Sequence, residues 1–121
     1  MKIVIVGAGK VGYSLAQRLI QDDHDVYVID RSPERIHNLE NTLDVSLVLG
    51  NGSDVQLLNE IDMSDVGMFI AVTDSDEVNM LSCAVAKITG VPTTIARVRD
   101  NSVAEHMDAE MRAKLGVDLF I

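Results

Sequence analysis

Ile3-Val4-Ile5-Val6-Gly7-Ala8-Gly9-Lys10-Val11-Gly12 lies two residues from the start of the chain and decides the fold. Four β-branched residues in a row predict a strand buried on both faces, because a half-exposed strand would alternate apolar with polar positions. Glycines follow at the spacing G-x-G-x-x-G, and a helical pattern runs from Val11 to about Gln21. Each glycine has a physical task in such a strand–turn–helix unit. Gly7 permits the tight turn, Gly9 lets a pyrophosphate approach the backbone, and Gly12 lets helix and strand pack closely. The helix start adds free N–H groups and a positive dipole end, which favour a phosphate anion. Ala8, Lys10 and Val11 complete the turn. The Lys10 ammonium either reaches a terminal phosphate or points into water.

Beyond this unit, the second strand ends at Asp30, roughly 20 residues past the glycines, where a ribose-binding acid belongs. Its carboxylate would accept hydrogen bonds from both ribose hydroxyls and repel a 2′-phosphate. NAD(H) or ATP/ADP is therefore expected in preference to NADP, although Arg31 next door weakens that preference. The plainer alternative is that the glycines only shape a turn and Asp30 caps the next helix.

Apolar, β-branched runs recur along the chain at Ile3–Val6, Asp25–Ile29, Val45–Leu49, Met68–Val72, Thr93–Val98 and Asp118–Ile121. Helical patterns fill the gaps. Ser32-Pro33 reads as an N-cap followed by proline at the first helical position. Ser53 with Gln56, Asp74 with Glu77, and Ser102 with Glu105 fit capping boxes. The last of these opens a single helix expected to run to about Leu115, where Gly116 ends it. The predicted fold class is α/β: a Rossmann-like doubly wound parallel sheet of about six strands with helices on both faces.

In such a sheet, ligands bind outside the carboxyl ends of the strands. Three further loops are expected there. Gly50-Asn51-Gly52 follows the third strand and could face an adenine or ribose. Thr73-Asp74 follows the fourth and could line the far half of a dinucleotide. Arg97 and Arg99 close the fifth. For Ser53 and Asp74, helix capping competes with direct contact, and for Arg97 an internal ion pair competes with ligand binding.

Composition excludes several classes. The net charge is −9, without any run of Lys or Arg, so a nucleic-acid backbone or an anionic membrane surface is repelled. The lone Cys83 cannot form an internal disulfide, and no stretch approaches the length of a membrane span. A cytoplasmic protein is expected. The chain stops on Leu119-Phe120-Ile121, inside an apparent strand, and so reads as one domain, 1–121, of a longer protein.

Catalytic chemistry is hard to find. Hydride transfer needs a proton-moving partner, yet His24 lies at the opposite edge of the sheet, and His37 and His106 sit inside predicted helices. There is no Tyr-x-x-x-Lys pair, no metal-ligand cluster and no Gly-x-Ser-x-Gly elbow. Cys83, in the run Cys-Ala-Val-Ala, reads as a buried structural thiol. The residues point to a chain that holds a nucleotide without transforming it.

Gly-Ala-Gly-Lys-Val-Gly, Ile29-Asp30-Arg31, Leu49-Gly50-Asn51-Gly52-Ser53-Asp54 and the segment from Val72 to Met80 together resemble the TrkA N-terminal domain family, also called KTN or RCK. The likeness extends to Ala96-Arg97-Val98 and Gly116-Val117-Asp118, and the Val72–Met80 segment is its most specific part. The resemblance implies a cytoplasmic regulatory subunit, peripheral to the membrane, that binds NAD(H) or ATP/ADP and gates a Trk- or Ktr-type potassium transporter. Its ligand contacts would be Gly7, Ala8, Gly9, Lys10, Val11, Gly12, Asp30, Arg31, Gly50, Asn51, Gly52, Thr73, Asp74 and Arg97. Asn51 stands where the family often carries an acid. The resemblance also implies homo-oligomers, dimers or rings, contacting a membrane transporter subunit, with no nucleic-acid binding and no direct lipid insertion. Val103, Met107, Met111 and Leu115 would form either a subunit contact or simple core packing. The alternative function is the cofactor half of a truncated NAD-dependent dehydrogenase. A redox-sensing repressor is disfavoured by the acidic charge and the lack of a DNA-binding helix pair.

Overall fold

Strand β1 (Lys2–Val6) sends alternate side chains into two different cores, which explains why its sequence does not alternate. Ile3 and Ile5 join Val26, Val28 and Ile70 on one face, beneath helices α1 (Lys10–Gln21) and α2 (Pro33–Glu40). Val4 and Val6 join Ile29, Phe69 and Ala71 on the other, where Leu58 of α3 (Val55–Glu60) and Cys83 and Ala86 of α4 (Asp76–Ile88) cover them. The computed structural model describes residues 1–121.

The remaining strands are β2 (Asp25–Asp30), β3 (Ser46–Leu49), β4 (Val66–Ala71), β5 (Thr93–Ala96) and β6 (Leu119–Phe120), in the spatial order β3-β2-β1-β4-β5-β6 with every pairing parallel. The expected doubly wound sheet of six strands is present. Its order reverses between β1 and β4, and the crevice at that reversal is the general ligand position of this architecture.

Helix starts follow the expected chemistry, with shifted positions. Ser32 caps α2 as predicted, accepting from the Arg35 N–H. Asp54 rather than Ser53 caps α3, because Ser53 is bound to the Asn51 side chain. Ser75 rather than Asp74 caps α4. The single helix expected from Ser102 to Leu115 is two: α5 (Asn101–His106), capped by Asp100, and α6 (Ala109–Leu115), capped by Asp108. Asp108 accepts from the Met111 N–H at 2.9 Å, and this cap begins a new helix after an extended Met107. Val103, Met107, Met111 and Leu115 therefore do not form one continuous helical face. Gly116 ends α6 with φ +94°, as expected of a left-handed C-terminal residue.

At the far edge, Thr94, Lys87 and Asp118 tie β6 to the sheet. Burial pushes the Asp118 carboxyl up, but hydrogen bonds from Lys87 and the Thr94 N–H outweigh it and hold the group below its ordinary value.

Candidate functional site

The mouth of the first βα unit is shaped by two backbone collisions that only glycine avoids. Gly7 has φ +112°, and a Cβ there would press on the Val72 backbone at 3.0 Å. A Cβ on Gly12 would run into the Gly7 carbonyl oxygen. Helix α1 can therefore start directly against β1. Gly9 is different: its backbone is extended, and a Cβ would meet nothing closer than the Arg35 guanidinium at 3.8 Å.

Helix α1 has no side-chain cap. The Ala8 N–H donates to Asp30, but the N–H groups of Gly9, Lys10, Val11 and Gly12 have no acceptor within the chain. These four donors converge at the positive end of the helix, which is the physical requirement for holding an anion.

Asp30 stands beside them, only 7% exposed. Its Oδ2 accepts the Ala8 N–H at 2.7 Å, and its Oδ1 accepts the Ser32 N–H at 2.8 Å. The carboxylate thus fastens the glycine turn to the β2–α2 turn. Each oxygen keeps a second lone pair for a further donor.

Two hollows flank the turn. One, of about 230 Å³, is lined by Asp30, Arg31, Gly50, Asn51, Gly52, Thr73 and Asp74, all singled out from the sequence, together with Val6, Ile29, Arg35, Ser75 and Val78. The other, of about 460 Å³, lies between α1 and α2 and takes in Ala8, Gly9 and Lys10 along with Tyr13, Ser14 and Arg35. Gly7 and Gly12 are buried behind the turn, and Val11 packs against the core. Arg97 lines neither hollow and forms no ion pair. It follows the last residue of β5, its N–H donates to the Ala71 carbonyl, and its own carbonyl accepts from Asn79. Lys10 is the first residue of α1 and exposed.

Sequence reasoning missed two residues. Arg35, in the first turn of α2, places its guanidinium 3.7 Å from Asp30 Oδ2 and over Gly9. Asn79 is fully buried at the start of α4. Its Oδ1 accepts from the Thr73 N–H and hydroxyl, and its Nδ2 donates to the carbonyls of Thr73 and Arg97. A signal for Asn79 was present. Asn79, Ser82, Cys83 and Ala86 repeat at i, i+3, i+4, i+7, so a polar residue stands on a buried stripe. Cys83 is buried as expected, and burial pushes its thiol up to about 12.

A doubly wound sheet with bare amides and a buried acid beside them at the carboxyl ends of its strands defines the class of dinucleotide-type α/β domains. More narrowly, the TrkA-N domain family matches residues 3–121, and the chain belongs to it. It is 41% identical over 119 residues to the Trk system potassium uptake protein TrkA of Azorhizobium caulinodans, covering 98% of this chain and 25% of that protein. To the TrkA homolog of Methanothermobacter thermautotrophicus it is 39% identical over 118 residues, covering 98% and 52%. The chain thus spans between about a quarter and a half of these relatives. Among solved structures, it superposes on the GsuK channel bound to NAD with a TM-score of 0.81 at 20% identity, covering 99% of this chain and 21% of that one. It superposes on GsuK bound to ADP with a TM-score of 0.80, also at 20% identity, covering 99% and 30%. No helix is long and apolar enough to cross a membrane.

Proposed function

We propose that this chain is a regulatory nucleotide-binding domain of a Trk-type potassium uptake system, binding NAD(H) or ATP/ADP and passing that binding to a membrane transporter subunit as a conformational bias. The observation that carries the reading is the group of four unpartnered N–H donors on Gly9 to Gly12 beside Asp30. They would hold the phosphates, Asp30 would take the ribose hydroxyls through its spare lone pairs, and the Gly50–Gly52 and Thr73–Asp74 loops would enclose the remainder. The GsuK structures described as bound to NAD and to ADP support the ligand class, and the potassium uptake proteins of similar sequence support the setting. In that setting the domain works at the cytoplasmic face, peripheral to the membrane, as a homo-oligomer on the transporter.

The role is regulatory rather than catalytic. The mouth offers amides, hydroxyls, carboxylates and the cations of Lys10, Arg31 and Arg35, and none of the three histidines lines either hollow. A ligand shifts a gate only by its differential affinity for two packings, so the quantity that matters is the binding difference between them.

Calorimetric titration of NAD, NADH, ATP and ADP into the chain tests the reading. At least one binds, and Asp30→Ala weakens it by about tenfold or more, the scale of a lost hydrogen bond to a charged group. No heat from any of the four overturns the reading, and a dinucleotide preference that survives Asp30→Ala overturns the ribose role.

A further inference from the structure

We propose that Arg35 is the phosphate-recognition residue of this mouth, resting on Asp30 until a nucleoside diphosphate arrives and then passing to the diphosphate. The inference rests on the nucleotide reading of the site and names the side chain that would choose a diphosphate over a nucleoside.

Its position breaks a local rule. Arg35 occupies the first turn of α2, where the helix dipole favours an acid; Glu34 beside it obeys that preference and Arg35 does not. A cation kept there against the dipole needs a partner, and what it has is meagre. The guanidinium carries five donors in a planar fork, yet it makes no hydrogen bond within the chain, only the 3.7 Å ion pair with Asp30 Oδ2. A charge-assisted bond of good geometry would close to about 2.7–2.9 Å. The side chain is half exposed, so little holds it in place.

Its reach matches the vacant donors. The fork lies over Gly9, the first of the four residues whose amides have no acceptor. Of these two hollows, Arg31 lines the one beside Asp30 and Lys10 the one between α1 and α2. Arg35 lines both. A planar fork also suits phosphate oxygens, which accept two parallel N–H bonds.

Asp30 can release it at low cost. Its two oxygens already accept the Ala8 and Ser32 N–H groups, so the carboxylate stays hydrogen-bonded after the arginine leaves. An arriving diphosphate thus takes over the arginine and uncovers the acid on which a ribose would bind. Entry of the anion and exposure of the sugar site become one event.

Titrating ADP and adenosine separately into the full chain, Arg35→Ala and Arg35→Lys tests this. In Arg35→Ala, ADP affinity falls about tenfold or more, the scale of a lost charged hydrogen bond, while adenosine affinity holds or rises, because the acid is already uncovered. Arg35→Lys restores part of the ADP affinity, as a point charge without the fork would. The melting temperature of Arg35→Ala stays close to that of the unmodified chain, because the 3.7 Å pair is long and Asp30 keeps its Ala8 and Ser32 N–H donors. Equal loss of ADP and adenosine binding, or undiminished ADP affinity in Arg35→Ala, overturns the inference alone. An unmodified chain that binds no ADP overturns the diphosphate site itself, and the role of Arg35 with it.

Discussion

Helices α1 and α4 follow the two central strands, β1 and β4, and open side by side at the same end of the sheet, yet they begin in opposite states. The start of α1 is bare: no side chain caps it, and four amides have no acceptor within the chain. The start of α4 is capped from within, although the Asp76 and Glu77 N–H groups keep no acceptor. Ser75 accepts the Val78 N–H, Asn79 holds both the N–H and the carbonyl of Thr73, and Asp76 takes the Arg99 and Asp100 N–H groups. Its first turn is also acidic, with Asp76 and Glu77. Topology alone does not make an anion site, since the same strand–loop–helix geometry produces either outcome. The residues of the turn decide: glycines leave the dipole unanswered, and Thr-Asp-Ser-Asp answers it with the chain's own oxygens.

The sharpest way to break the contrast is to deny α1 its close approach. Gly12→Ala places a methyl on the Gly7 carbonyl oxygen, where nothing can yield without moving the helix. A loss of about 3 kcal/mol or more is expected in chemical denaturation, and wild-type stability would show that the helix sits further from β1 than described. Emptying the other start comes next. Asn79→Ala leaves the part-buried Thr73 amide and the Thr73 and Arg97 carbonyls short of partners. It should cost about 2–4 kcal/mol, read from the same denaturation curves, and a loss below about 1 kcal/mol would mean that water replaces the side chain. The gentlest change gives α1 what α4 already has. Gly9→Ser needs no strained backbone and supplies an internal cap, so stability should rise by a few tenths of a kcal/mol, while calorimetry should show ADP affinity reduced about tenfold. Unchanged ADP affinity would remove those amides from the binding site.

Much of this architecture was legible in the chain. The β-branched runs located the strands because a strand covered on both faces has no need of polar residues, and the glycine spacing located the reversal point. Helix starts slipped by one or two residues because each loop offers several competing caps: Ser53 and Asp54, Asp74 and Ser75, Asp100 and Ser102. The winner depends on where the preceding strand releases the chain, which is a tertiary matter. The break at Met107-Asp108 was hidden because Val103, Met107 and Met111 keep helical spacing across it. Arg35 was invisible for another reason. Its meaning depends on the pairing of β1 with β2, which carries the start of α2 over the glycine turn, and no local pattern encodes that meeting.

The chain's one sulfhydryl, Cys83, donates to the Ile95 carbonyl from inside α4, and its ionisation is pushed up to about 12. Near neutrality hardly any of it is thiolate, the nucleophile that attacks peroxides and disulfides. A domain proposed to hold a redox-active dinucleotide therefore has no reactive thiol of its own. Word of the cell's electron supply would reach it through the oxidation state of whatever it binds, not through its own sulfur.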